Sequence, residues 1–422
     1  MIRSQSPRRT RRLLILVALA PAALTAAACS TSAPPNTNVT IPATGLVVLS
    51  SDYATTSISL VDPMTRAVVH DACVDSNTVP PTLSLVLSGD VVLPSAPQAG
   101  GDVLLIDDVN KALTWVDPQT CTIRHQLSVS DFKSFPHDVI SISREKAYVT
   151  RFGTNPAPTG DPMSRGEDLL IVNPGAQPDP TIVGRIDLAP FAAPVDGSVI
   201  QARPDRGLLV DGKVYVTLAS QSADYMATGE GRIVIVDTAT DVVSGMIPLT
   251  GLAGCEGLDY LAETKTLFVA CGGASSAADQ SATSGIAVVD LGVDPPVLKK
   301  VLPASLVGGG LLNFFWIAAL SEAQVWASTF GVSDFMTGVQ TAPDALWSID
   351  SKRGVAMKTR EAGAYNIGRP ALLHSSPTLF LPDGDMSHPL IHIIDATGAA
   401  TPVVDLDANP SQHLPPRDVA WY

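Results

Sequence analysis

From residue 45 onward the chain is a succession of short apolar runs, each bounded by Gly, Pro, Ser, Thr or Asp. One phrase recurs: apolar residues, then Asp or Asn, then a turn. It ends at Asp62 (SLVD), Asp117 (TWVD), Asn173 (LIVN), Asp237 (VIVD), Asp290 (AVVD), Asp350 (WSID) and Asp395 (HIID), seven copies spaced 55, 56, 64, 53, 60 and 45 residues apart. Residues 45–422 number 378, or 54 per copy. The unit around Asp237 shows the elements. Lys213 to Thr217 is β-branched and aromatic and reads as a strand; 220–231 is a Gly/Ser/Ala loop; Arg232 to Asp237 is a further strand. Thr238-Ala239-Thr240-Asp241 makes a turn and Val242 to Leu249 returns as the outermost strand. The carboxylate that ends each phrase suits this corner, because it can accept from backbone N–H groups two residues on.

A repeat of this length built from short strands predicts an all-β fold, a seven-bladed β-propeller with four-stranded antiparallel blades over 45–422. Full blades begin with an inner strand such as His137-Asp138-Val139-Ile140, whereas Gly45 to Ser50 aligns with second strands. The last segment, Pro416-Arg417-Asp418-Val419, echoes Pro136-His137-Asp138-Val139. The C-terminal strand is therefore expected to supply the inner strand of the first blade and close the ring, which removes two exposed sheet edges.

KVYVTLAS at 213–220 and KAYVTRFG at 146–153, each followed by a loop and a VIVD- or LIVN-type strand, resemble the YVTN family of β-propeller repeats. GRIVIVDTATDVVSGMIPL at 231–249 is the strongest copy; TLFVACGG at 266–273, QVWASTFG at 324–331 and TLFLPDGD at 378–385 are weaker, and the first two units are diverged. The resemblance implies the fold strongly and a function weakly, since propellers host many activities.

Loop lengths are uneven. First-to-second turns are tight, at Arg144-Glu145, Asp211-Gly212, Glu263-Thr264 and Glu322-Ala323. The second-to-third loops of blades three to six are long: 153–167, 220–231, 272–284 and 331–344, with an insertion at 189–205 before the fourth blade's inner strand. In a propeller these loops share one face, the expected working surface. The inner-strand entrances place His137, Asp138, Glu256, Arg369, Arg417 and Asp418 at the channel mouth on that face. Two readings of them stand: a ring of mixed charge that orients a ligand, or a solvated funnel with local ion pairs. Phe314, Phe315, Trp316, Trp326 and Trp347 are expected in the inter-blade core.

Catalytic and metal signals are weak. Asp383-Gly384-Asp385 lacks the further acidic ligands of a calcium loop, and His388 and His392 flank a strand rather than share a helix face. No G-x-S-x-G elbow or phosphate-binding Gly loop occurs, so no catalytic residue, metal or cofactor is assigned.

The N-terminus changes the setting. Arg3, Arg8, Arg9, Arg11 and Arg12 precede the apolar run Leu13 to Ala20 and the small residues Ala26-Ala27-Ala28, the order of a secretory signal over 1–28. Ala26-Ala27-Ala28-Cys29 resembles a bacterial lipobox, with Ala26 where that pattern has Leu, and Thr10-Arg11-Arg12-Leu13-Leu14 faintly resembles a twin-arginine signal. The lipobox resemblance implies a lipid on Cys29; cleavage and release is the other reading. Residues 29–44 are uncharged and rich in Ser, Thr and Pro, a flexible tether. The expected location is the cell envelope, on the outer membrane or its periplasmic side. Cys73, Cys121, Cys255 and Cys271 remain, an even number that suggests two disulfides in an exported protein. Cys255 and Cys271 fall at one end of a hairpin; Cys73 pairs with Cys121 by elimination, although the strand register places them at opposite ends of their blades' outer strands.

Without the five leading arginines, 22 basic face 41 acidic side chains, a net charge of −19. That balance argues against nucleic-acid binding, which needs clustered Lys and Arg. The expected function is a monomeric envelope binding or scaffold protein for a protein or small-molecule partner. The alternative is a lactonase-like hydrolase at the channel mouth.

Overall fold

The computed structural model describes residues 44–79, 84–129, 134–275, 279–333, 340–363, 367–398 and 403–422; the signal-like segment, Cys29 and all of the tether but Thr44 lie outside the described residues. Seven four-stranded antiparallel sheets succeed one another, one per repeat, with two small two-stranded sheets added. The inner strands are Pro416–Trp421, Val91–Val92, Pro136–Ser143, Pro204–Val210, Cys255–Leu261, Ala318–Ser321 and Ala371–Leu373, for blades 1 to 7.

Each recurring Asp or Asn ends a third strand and caps the turn after it. Asp62, Asp117, Asn173, Asp237, Asp290 and Asp395 accept from the N–H two residues on, and Asp350 from Arg353 three residues on. The corner is thus written locally in every repeat.

Blade stacking explains why the middle strands are apolar on both faces. Strands such as Leu46–Ser51 and Thr266–Gly272 are buried along their whole length, while the outer strand Val242–Ala253 begins with alternating exposure. Among the described residues the core divides into seven clusters, each between two adjacent blades. One of them joins Phe380 and Ile391 of blade 7 to Leu46, Val48 and Val419 of blade 1.

The C-terminal strand closes the ring as expected. It pairs antiparallel with the first strand, Leu46 opposite Trp421 and Val48 opposite Val419. Blade 2 carries the divergence seen in its sequence. Pro94 and Pro97 cannot donate to a ladder, so its inner strand stops at Val92, and Ser95 and Ala99 donate instead to Asp138 and Ser141 of blade 3.

Two expectations change, the extent of the insertion and the register around Cys73, while both disulfides form as expected. The 189–205 insertion is shorter than expected, because Pro204 and Asp205 already belong to the inner strand of blade 4. Its Ile200-Gln201 pairs with Gln221-Ser222 of the long loop in that blade. Cys255 and Cys271 are bonded directly across their hairpin, and Cys73 and Cys121 are bonded as well. The register that separated Cys73 from Cys121 is broken by a bulge. Leu60 faces His70 but Ile58 faces Val74, so residues 71–73 loop out of the outer strand with Ala72 left-handed.

Candidate functional site

The inner strands begin at the long-loop face, so their first side chains converge around the channel. Several carboxylates there hold the ring. Asp138 accepts from Ser95 of blade 2 (2.8 Å) and Gly207 of blade 4 (3.0 Å). Asp418 accepts from Leu93 of blade 2 (3.0 Å), and Asp259 from Ala319 of blade 6 (2.7 Å). Each captures a backbone N–H of a neighbouring blade that would otherwise be buried unpaired.

Two arginines cross this layer. Arg369 of blade 7 grips Asp418 with Nε and an η-nitrogen (2.7 and 3.0 Å), and it donates to the Leu93 and Pro94 carbonyls. Arg206 of blade 4 reaches the same Leu93 carbonyl (3.1 Å) and lies 3.3 Å from Asp205. Arg417 turns away: it donates to Ser51 O and its guanidinium lies 4.8 Å from the Tyr53 ring.

His137 and Glu256 meet through Asp205. The Nδ1 of His137 is 2.7 Å from Asp205 Oδ2, and Glu256 is hydrogen-bonded to the same carboxylate. Burial and the adjacent Asp205 charge push the Glu256 carboxyl well above its ordinary range. Burial would also raise Asp205, but His137, Arg206 and the Glu256 hydrogen bond hold it low. The two opposite directions favour the proton on Glu256 and the charge on Asp205. The His137 ring stacks on Phe152 at 4.2 Å, Arg203 lies between Phe152 and Tyr225 (4.9 and 3.9 Å), and Tyr225 is half exposed at the lip.

Asp205 lies inside what reads as an insertion and Arg206 directly follows it, so the sequence pattern assigns neither to an inner strand. Pro204-Asp205-Arg206 parallels Pro136-His137-Asp138 and Pro416-Arg417-Asp418, and that parallel could have found them. The aromatic expectation holds in part. Trp316 and Trp326 are core, but Phe315 is exposed and packs with Phe314 and Phe330 beside the channel.

A central cavity of about 210 Å³ runs past this layer. Ser95, Arg206, Arg369 and Trp316 line it near the strand entrances, and Asp259, His374 and Trp421 line it toward the tight turns. Gly257 leaves room for its wall, since a Cβ there would lie 2.5 Å from Trp316 N. Among the described residues no group of three His, Cys, Asp or Glu could hold a metal ion.

Asp259 offers a pH probe of this lining. Burial pushes its carboxyl up from 3.8 to about 6, against the pull of the Ala319 and Tyr260 N–H groups. A folded-state pKa above the unfolded one favours folding when protonated, so the contribution is complete below about pH 4 and lost as pH rises through about 6. The melting temperature of Asp259→Asn minus that of wild type should therefore grow between about pH 4 and pH 7. A flat difference would show that Asp259 titrates as an ordinary carboxyl.

The fold and the ring of inner-strand carboxylates define a seven-bladed β-propeller. Among solved structures it is similar to a Bacteroides uniformis protein provisionally assigned as a 6-phosphogluconolactonase, at 13% identity over 90% of this chain and 99% of the other, with a TM-score of 0.55. A Bacteroides fragilis protein with the same provisional assignment matches at 11% identity over 92% and 99%, TM-score 0.51. Dihydro-heme d1 dehydrogenase NirN, solved in complex with DHE, matches at 12% identity over 89% of this chain and 74% of its own, TM-score 0.50. At such identities the likeness is one of fold. No protein-family model and no curated protein matches the sequence.

Proposed function

We propose that this protein is an exported binding or scaffold propeller of the bacterial cell envelope, anchored by a lipid on Cys29 and working through the face that carries the long loops of blades 3 to 6. The organisation of that face carries the reading. The insertion before blade 4 is zipped to the loop of that blade, Arg203 is clamped between Phe152 and Tyr225, and the apolar side chains of Val199, Tyr225, Met226 and Phe315 are left in solvent. Ordered loops that keep apolar tips exposed on a rigid scaffold suit a binding surface. Two disulfides fit an oxidising, exported setting. Among the described residues no helix is long and apolar enough to cross a membrane, so attachment would rest on the lipid. The YVTN-type reading rests on KVYVTLAS and KAYVTRFG, which fall on second strands followed by long loops.

Fractionation combined with capture tests this. Wild type should sediment with membranes and Cys29→Ala should be soluble. Replacing the 155–165 loop with a tight turn, and the exposed Tyr225 and Met226 with Ser, should leave the melting temperature within a few degrees and abolish capture of the envelope partner. Capture that survives this change but is lost on mutating the tight-turn face would assign the wrong face. A second reading, hydrolysis, is favoured by one observation: the partly exposed His137 coupled to the Asp205–Glu256 pair has the makings of an acid–base centre. Turnover in a lactone screen that disappears in His137→Ala would move the assignment to that reading.

A further inference from the structure

We infer that the central cavity is a binding site for a small organic acid, whose carboxylate meets Arg206, Arg369 and the Trp316 indole N–H while its apolar body lies along the channel wall. This site is separate from the His137–Asp205–Glu256 cluster, none of whose residues lines the cavity, and of the exposed apolar side chains of the long-loop face it shares only Phe315.

Three observations converge on it. The first is which groups face the lumen. Arg206 and Arg369 line the cavity, whereas their carboxylate partners Asp138, Asp205 and Asp418 do not. Those carboxylates are engaged by backbone N–H groups, by His137 and by the arginines themselves. The second is electrostatic. The two guanidiniums come from opposite parts of the ring and meet at one carbonyl, that of Leu93, at 3.1 and 2.8 Å. Burial lowers the Arg369 pKa, Asp418 opposes this, and the facing Arg206 lowers it again. Burial works against the Arg206 charge, but Asp138, Asp205 and Asp418 raise its pKa, so Arg206 keeps its charge at the lumen, and a carboxylate matches guanidinium geometry. The third is an orphan donor. Trp316 is 3% exposed and lines the cavity, yet its Nε1–H has no hydrogen-bond partner. A buried N–H without an acceptor is costly, and a ligand oxygen would satisfy it.

Size and wall chemistry set the rest of the ligand. About 210 Å³ lies below the roughly 300–1,000 Å³ of drug-sized pockets, so the occupant is small. Leu208, Leu372, Val419 and the exposed ring of Phe315 supply an apolar wall. The one carboxylate in that wall, Asp259, lies toward the far end and is already bonded to two backbone N–H groups.

The test uses matched pairs on the full-length protein: benzoate with benzamide, phenylacetate with phenylacetamide, and succinate with succinamide, by saturation-transfer NMR and calorimetric titration. At least one acid should bind, with its neutral counterpart at least tenfold weaker. Trp316→Phe keeps the packing and removes the donor, and should weaken the acid by roughly ten- to hundredfold, the value of a hydrogen bond to a charged group. Ser95→Phe should block binding at the guanidinium end while keeping the backbone N–H that Asp138 accepts, so the proposal does not hang on one variant. The loop-shortened protein should bind the acid like wild type. The inference is overturned if no acid of the panel binds, if amides bind as well as acids, if well-folded Trp316→Phe and Ser95→Phe proteins bind unchanged, or if shortening the loop removes binding.

Discussion

Deletion of Arg417–Tyr422 is expected to abolish cooperative folding. The segment supplies most of the inner strand of blade 1, and its loss bares the edge of Leu46–Ser51. It also removes buried Val419 from the cluster between blades 7 and 1, and Asp418 from its bonds to Leu93 and Arg369. Burying Val419 is worth roughly 1.5–3 kcal/mol, and the half-buried Trp421 adds part of its own apolar area. Leaving the buried Arg369 without its carboxylate costs about 3–5 kcal/mol more. Against a total stability of about 5–15 kcal/mol, that combined loss leaves little or nothing. Circular dichroism should show no sharp thermal transition, and limited proteolysis should degrade the whole chain. A truncated protein melting within a few degrees of wild type would mean that this strand does not close the ring.

Asp168→Ala should be the most damaging single substitution in blade 3. Asp168 and Arg151 are both fully buried and form a two-pronged pair at 2.7 Å, while Arg185 binds the same carboxylate at 2.6 Å. Removing the carboxylate leaves two guanidiniums side by side in the interior, a loss of about 3–5 kcal/mol. Arg185 can turn to Asp187, already 3.3 Å away, but Arg151 keeps only the Val129 carbonyl. Paired replacement, Arg151→Met with Asp168→Leu, should recover much of the loss, because well-packed apolar side chains avoid the desolvation of both charges. Urea denaturation would measure both. A loss below about 1 kcal/mol for Asp168→Ala would show that the pair adds no more than a surface ion pair.

Much of the ring is written in short stretches of chain. Seven Asp- or Asn-terminated third strands announce seven blades because the carboxylate and the N–H it caps lie two or three residues apart. The pairing of Cys255 with Cys271 is equally local, two residues directly opposite in one hairpin. The closing strand is legible because a repeat lacking its first element at one end must find it at the other. Long loops stand out because the turns around them are so short.

The site is of another kind. Asp205 and Glu256 stand 51 residues apart in sequence, and Arg206 and Arg369 meet at a carbonyl of a third blade. Cys73 reaches Cys121 through a bulge that no strand pattern announces, and Phe315 emerges into solvent beside a Trp316 that is buried. The repeat, the turn chemistry and the order of strands follow from the order of residues alone, because those depend on contacts within one hairpin. Only packing across the ring sets which carboxylates lie together, which guanidiniums face the channel and which aromatic rings stay wet. Those outcomes depend on how blades packed through seven separate apolar interfaces bring the starts of distant inner strands together around one axis.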